Sequence, residues 1–357
     1  MGVSGGLLIA VLVGVLSLAI YVNFFHVDKD YVRPKRSADL PPESEVVKLR
    51  IYPIKSCRGI EVEEAKLKST GLDLDRHWMF VDAADNKFLT IRSDSNMTLI
   101  DTALDVQQDQ LTVSVKGTDD RVTISAHPTK EWLKDNTKLE QVEIWGAKTD
   151  GWSYPETINS TFSRHFGKPV KLIYKGPTSR PASGSGSEEM YGKDVPHMFA
   201  DMMSVQIASE SSLADLNRRL KERKYDGEQL TIERFRPNIV IKGNEPWEED
   251  RWKRVQITTV DHENEFLWRV SLDVVCRCAR CQVPNVNPVT ADKHPHEPWD
   301  TMMKFRRVDK GSVAKWKPCF GMLCLPQKEG KIKVGAKFEA MEMTDKHLYN
   351  TTKFSEL

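Results

Sequence analysis

Residues 276–291 read CRCARCQVPNVNPVTA, so three thiols, Cys276, Cys278 and Cys281, fall within a few residues of one another in a chain that holds six cysteines. How this stretch is read decides the fold of the second half. If the thiols ligate zinc, that half is organised round a metal. If they are small hydrophobes closing a strand, it is a β-structure round an apolar core. Structural zinc takes four ligands, most often in C-x₂₋₄-C pairs. Cys319, Cys324, His294 and His296 are the available partners, but C-x-C is a poor spacing and Cys319 and Cys324 are not tightly paired. A third reading needs one thiolate only. Arg280 precedes Cys281, a neighbouring guanidinium lowers a thiol's pKa, and a strand-end thiolate suits a soft metal carried by a cofactor.

Working outward, EFLWRVSLDVV (265–275) leads into the thiols as a strand, and NIVIKG (238–243), WKRVQITTV (252–260), MSVQIA (203–208) and KIKVGAKFEAME (331–342) share its character. In the first half, VVKLRIYPI (46–54), HWMFVDA (77–83), TLIDTALDV (98–106), LTVSVKG (111–117), RVTISA (121–126) and PVKLIY (169–174) predict further short strands separated by turn residues. Two helices interrupt them. TINSTFSRHFG (157–167) ends at Gly167. The run after Ser209 sets Leu213, Leu216 and Leu220 on one face, with Ser212 and Asp215 spaced as a capping box. GPTSRPASGSGSEEMYGKD (176–194) reads as a mobile loop or boundary. The expectation is a mainly β protein with some helices (α+β), in two packed β-rich parts, 46–175 and 199–345. A linker (28–45) precedes them, a loop (176–198) lies between them, and a tail (346–357) comes last.

The chain has 357 residues, 39% hydrophobic and 29% charged, which is ample for a large core. Lys+Arg is 52 against Asp+Glu 51, so no global field draws in nucleic acid. Six cysteines in this length do not make a disulfide framework, and reduced thiols in a cytosol-facing compartment are expected. Residues 3–22, VSGGLLIAVLVGVLSLAIYV, carry no charge. About 20 apolar residues at about 1.5 Å each match the roughly 30 Å hydrocarbon layer, so an anchor helix within 1–27 is expected. Lys29, Arg33, Lys35 and Arg36 come after the run and place the remainder in the cytosol.

A cofactor's anionic group needs Lys, Arg and Ser from elsewhere in the chain. IYPIKSCRG (51–59) puts Lys55 and Ser56 just past a strand, LDLDRHWMFVD (72–82) puts Arg76 at the mouth of another, and ERFRPNIVI (233–241) puts Arg236 before a proline. Each alone is equally a solvated rim residue. No G-x-G-x-x-G comes after a strand, so reducing equivalents for a redox reaction would come from outside.

YPIKSCRG, DRHWMFVD, SESSLADLN, FRPNIVI and CARCQVPNVNPVTA, in that order, resemble the MOSC-domain proteins that carry an N-terminal MOSC-associated β-barrel. The resemblance runs over about 46–342 and is strongest to the mitochondrial amidoxime reducing components. It implies a molybdenum–molybdopterin cofactor between the two β-rich parts, with Cys281 as catalytic residue and metal ligand, seven residues before Pro288. It implies cofactor contacts from Lys55, Ser56, Arg76, Asp201, Arg236, Asn238 and Arg280, and a backbone approach by Gly321 and Met322 in PCFGMLC (318–324). Leu323, where relatives often have an aromatic residue, and the extra thiols Cys276 and Cys278 depart from the pattern. The implied activity is reduction of amidoximes, hydroxylamines and N-hydroxylated base analogues, with nitrite as a side substrate. Cytochrome b5 and its NADH-dependent reductase would supply electrons. The implied placement is the mitochondrial outer membrane, with the endoplasmic reticulum as alternative. Two rivals remain, a sulfur carrier with a persulfide on Cys281 and a membrane-tethered cofactor-binding protein.

Overall fold

A computed structural model describes residues 39–261, 266–309, 316–348, 353, 355 and 357. The anchor expected within 1–27, most of the linker and most of the C-terminal tail lie outside these residues. Among the described residues no helix is long and apolar enough to cross a membrane. The described residues of 40–259 and 268–357 form one compact unit, which contains nearly all of the sheet structure.

In the first half the strands are β1 (Ser44–Ile51), β2 (Ile60–Val62), β3 (Glu64–Lys68), β4 (Gly71–Leu72), β5 (Trp78–Asp82), β6 (Ile100–Asp105), β7 (Gln110–Val115), β8 (Arg121–Ser125), β9 (Lys138–Ile144), β10 (Ala147–Ser153) and β11 (Val170–Lys175). In the second they are β12 (Val205–Ser209), β13 (Ile239–Ile241), β14 (Trp252–Asp261), β15 (Phe266–Ala279), β16 (Cys319–Lys328), β17 (Gly330–Lys333) and β18 (Lys337–Met343). The helices are α1 (Lys130–Asn136), α2 (Glu156–Phe166), α3 (Glu188–Tyr191), α4 (Glu210–Glu222) and α5 (Trp299–Phe305). The molecule is thus mainly β with few helices.

The alternation of apolar and polar residues in LTVSV (111–115) has its physical cause in one-sided burial. In β7, Leu111, Val113 and Val115 are buried while the residues between them face outward, and the strand pairs on both sides with β6 and β8. A second antiparallel sheet runs β5-β11-β10-β9, with Phe80 opposite Leu172 and Trp152 opposite Tyr174. Helix α2 ends where Gly167 takes φ 63°, as its glycine predicts.

The second half closes into a seven-strand barrel. The order is β13-β12-β16-β15-β14-β18-β1, and β1 pairs back to β13. Ile207 stands opposite Ile239 in parallel and opposite Met322 in antiparallel, and Leu49 pairs with Ile239 to complete the ring. β1 therefore belongs by pairing to the second β-rich part, although sequence order assigns it to the first. Its interior is the main core, with Leu49, Ile207, Ile257, Leu272, Met322 and Phe338 essentially removed from solvent.

Several expectations need correction. The strand expected over 331–342 is two strands, split where Gly335 takes φ 82°. The cap of α4 is Ser209, whose side chain accepts from the Ser212 N–H; Ser212 lies inside the helix, buried, donating no cap. Residues 176–194 are mostly exposed, as a boundary segment would be, but Arg180, Ala182 and Tyr191 within them are buried, and Pro181 bridges to Pro196. PCFGMLC, which is not among the strands expected from the sequence, runs into β16, whose first eight residues are all buried. His347 and Leu348, assigned to a tail, are buried as well.

Candidate functional site

Four segments converge on one cavity of about 580 Å³: the turn after β1, the chain before β5, the short helical turn Ile232–Phe235 with its exit, and the end of β15. Lys55, Ser56, Arg76, Asp201, Arg236, Asn238, Arg280 and Cys281, drawn from those motifs and from 201, all line it. Gly321 and Met322 do not. Both belong to β16, and Met322 is paired across to Ile207 on one side and Arg277 on the other, so its backbone is occupied by the sheet. Its side chain lies in the barrel core. The residue of β16 that does reach the cavity is Leu323.

The backbone carries strain where the cations are aimed. Ser56, Arg76 and Arg236 take φ of 68°, 56° and 57°, and Trp145 takes 52°. Each left-handed non-glycine residue costs about 1–2 kcal/mol. Such outliers persist only where the surroundings over-determine them, and they gather at functional sites. Here the surroundings are explicit. The Arg76 N–H donates to the Tyr52 carbonyl at 2.8 Å, and the Arg236 N–H donates to the Glu233 carbonyl at 3.0 Å.

Tyr52 is the common platform. The guanidinium of Arg76 lies 4.4 Å and that of Arg236 4.3 Å from its ring centre. Arg76 is also paired with Asp75, and its second terminal nitrogen donates to the Arg236 carbonyl at 3.3 Å. Arg236 donates to the Cys57 carbonyl at 2.8 Å. Burial, with Arg76 close by, brings Arg236 down to about 10. Burial likewise raises Asp75 above its ordinary range, against the pull of Arg76. Two like charges held this close and this deep call for an anion.

Lys55 is buried and donates to the Phe199 carbonyl at 2.8 Å and to Asp201. Burial lowers its pKa and Asp201 opposes that shift. Asp201 itself is pushed up by burial, but Lys55, the Trp145 indole N–H and Arg92 outweigh this and hold it well below the usual carboxylate range. Asn238 is spent on the fold: its amide oxygen accepts from the Gln206 N–H at 3.1 Å and its amide nitrogen donates to the Arg50 carbonyl at 3.2 Å, tying β12 to β1.

The thiols separate by position. Cys276 is buried in an apolar cluster with Val275 and Leu325, while Cys278 and Cys281 line the cavity. All six cysteines are free, and among the described residues no group of three His, Cys, Asp or Glu is placed to hold a metal ion, so zinc is not the reason for the CxCxxC spacing. Arg280 does not act where sequence adjacency places it. Its guanidinium meets Cys278 Sγ at 3.0 Å, Gln206 Oε1 at 3.2 Å and the Phe235 carbonyl at 2.9 Å. Burial raises the Cys278 thiol pKa and Arg280 works against that rise.

Arg92, Trp145, Lys148, Arg180 and Gln206 also line the cavity, and sequence reading missed them. Arg180 sits in a Gly/Ser/Pro-rich segment, where a lone charge gives no signal. It donates to the Ala200 carbonyl at 2.6 Å and to the Met198 carbonyl at 3.1 Å. Trp145-Gly146 joins two alternating runs, a hairpin signal that was available. The cavity presents seven cations, Lys55, Arg76, Arg92, Lys148, Arg180, Arg236 and Arg280, against the single carboxylate of Asp201. The Nε atoms of Arg180 and Arg280, both buried, meet no acceptor among the described residues. A donor set of this kind, with a thiol at its inner edge, fits a phosphorylated ligand that also carries a soft metal.

Residues 43–169 match the family model described as MOSC N-terminal beta barrel domain, and residues 194–339 match the MOSC domain. The chain is 30% identical over 315 residues to the mitochondrial amidoxime-reducing component 1 of Mus musculus, covering 85% of this chain and 84% of that one. It is 30% identical over 296 residues to the Homo sapiens mitochondrial amidoxime-reducing component 1, covering 81% of each. It is 32% identical over 280 residues to the molybdenum cofactor sulfurase of Arabidopsis thaliana, covering 76% of this chain but 32% of the sulfurase. It thus spans about a third of that relative's length.

Proposed function

The chain belongs to the MOSC family, with the family's N-terminal β-barrel domain ahead of its MOSC domain, and on that premise we propose that it is a molybdenum-cofactor-dependent oxidoreductase. Its substrates are N-hydroxylated compounds: amidoximes, hydroxylamines and hydroxylated base analogues. The observation that carries this reading is the sharing of one cavity by Cys281 and seven cations drawn from distant parts of the chain. The full-length relatives named for amidoxime reduction support it.

In this reading Cys281 supplies a thiolate to the metal. Arg76 and Arg236, preset against Tyr52, hold the anionic end of the cofactor, and Lys55, Arg180 and Arg280 neutralise what remains. Phe235 and Leu323 add apolar surface to the lining of the cavity. The bound cofactor supplies the two-electron chemistry that removes hydroxyl oxygen from nitrogen. Cytochrome b5 with its NADH-dependent reductase is the proposed electron source. Attachment to the mitochondrial outer membrane through residues 3–22 is the proposed placement.

Metal analysis of the purified protein tests the reading. Stoichiometric molybdenum in the wild type, lost in Cys281→Ala and retained in Cys276→Ala, is the expected result, together with benzamidoxime turnover once an electron chain is reconstituted. Molybdenum without turnover leaves a cofactor-binding protein. Sulfane sulfur on Cys281 without molybdenum favours the sulfur-carrier reading, which the likeness to the plant sulfurase supports.

A further inference from the structure

Trp145 is placed against its own preferences. It is the first residue of the β9–β10 hairpin turn, with Gly146 next, and the two take φ of 52° and 81°. That pair of left-handed residues suits Asn-Gly or Asp-Gly, not an indole. The side chain is 48% exposed, so burial of a large ring does not explain it. Nor does looseness, because the indole is held on three sides. Its Nε1–H donates to Asp201 Oδ1 at 3.0 Å, and Phe88 packs edge-on with ring centres 4.7 Å apart. The guanidinium of Arg92 stacks 4.3 Å from the ring centre. A strained, half-exposed, rigidly held aromatic ring on the wall of a cavity is preorganised for something outside the protein.

The neighbours say what that is. Asp201 receives both Lys55, from the inner group of cations, and Trp145, so the indole is tied directly to the residues that hold the cofactor in the proposed function. The exposed Met202 stands beside Asp201 in the same wall. Indole, guanidinium plane and thioether together suit a flat, apolar ring and offer little to a small aliphatic group.

We propose that Trp145, fixed by Asp201, Phe88 and Arg92, is the specificity-determining platform of this cavity, on which the planar ring of an aromatic N-hydroxylated substrate stacks. The proposal rests on the proposed reductase function, and its test separates the two. Benzamidoxime and acetamidoxime share the reacting group and differ in the ring. Their affinities for the purified full-length protein are compared by calorimetry in the wild type, Trp145→Phe and Trp145→Ala, with circular dichroism to check folding and metal analysis on each sample. The expected result is a preference for benzamidoxime that falls about tenfold in Trp145→Ala and is largely kept in Trp145→Phe, which retains a ring but loses the donor to Asp201. Wild-type quenching of tryptophan fluorescence by benzamidoxime should diminish in Trp145→Phe. An equal loss for both ligands overturns the proposal, because the indole would then merely shield the Lys55–Asp201 pair. A wild type with no ring preference overturns it too. Absence of molybdenum from a protein whose ring preference still depends on Trp145 overturns the assigned reaction and leaves the platform standing.

Discussion

Glu249 shows what one buried group does to this protein. It is fully buried beside the Ser209 hydroxyl, which lies 3.2 and 3.1 Å from its two carboxylate oxygens. Burial lifts its pKa from 4.5 to about 7. A carboxyl raised in the folded state keeps its proton where the unfolded chain has released it, so stability falls as pH rises from 4.5 to about 7 and stays low above that. Glu249→Gln keeps the shape without the charge. It should stabilise the protein at pH 8, by at most about 3 kcal/mol, and give little gain at pH 4.5. Denaturant titrations at the two pH values check it, and a gain independent of pH would refute the assignment. A second substitution tests the cation pair. Tyr52→Leu removes the platform under Arg76 and Arg236 and should lower molybdenum retention about tenfold to a hundredfold in a folded protein. At this scale the sequence was most informative where residues sat in ordered motifs: Lys55, Ser56, Arg76 and Arg236 reach the cavity together. It was silent on Arg92, Arg180 and Gln206, whose roles come from folding across long separations. Arg280 lines the cavity too, but its guanidinium meets Cys278 rather than the adjacent Cys281, because the end of a strand turns neighbouring side chains apart.

Among the elements, β16 is the instructive failure. Strands with one wet face announce themselves by alternation, as β7 does. β16 lies between β12 and β15, is buried on both faces, and so has a continuous apolar run with no period to detect. Gly321 has a specific task in this strand. It takes φ 74° inside the strand, near the register shift opposite Arg277 and Ala279, and a Cβ there would stand 2.7 Å from the Ile207 carbonyl oxygen and 2.9 Å from Gln206 Nε2. Gly321→Ala therefore meets both left-handed strain and a backbone clash. A loss of about 2–4 kcal/mol in chemical denaturation is expected. Because Gln206 holds Arg280 at 3.2 Å, the same variant should also disturb the environment of Cys278. An unchanged denaturation midpoint would show that the strand can slide at this point without cost.

For the molecule as a whole, the decisive feature is that its first strand closes its last barrel. β1 pairs with β13 through Leu49 and Ile239 and with β18 through Ser44 and Phe338, while its outer end pairs with β2 and leads directly to Lys55. No local pattern reveals this closure, since strand pairing over about two hundred residues leaves no trace in neighbouring residues; only the fold class was legible. The closure also explains how the first half delivers Lys55 and Ser56 to thiols at the far end of the chain. It makes a sharp prediction about truncation. Removing residues 1–38 leaves every described strand intact, so the product should fold cooperatively and, if the proposed anchor is the only membrane attachment, remain soluble. Removing residues 1–52 deletes β1, opens two unpaired edges in the barrel and strips Leu49 and Ile51 from its core. Each large apolar side chain lost from such a core costs about 2–5 kcal/mol, and the total stability of a domain is about 5–15 kcal/mol. The shorter product should therefore lack a cooperative thermal transition and aggregate on expression. A folded, soluble product without β1 would mean that the barrel closes by another route, and that the path bringing Lys55 to Cys281 is not the one described.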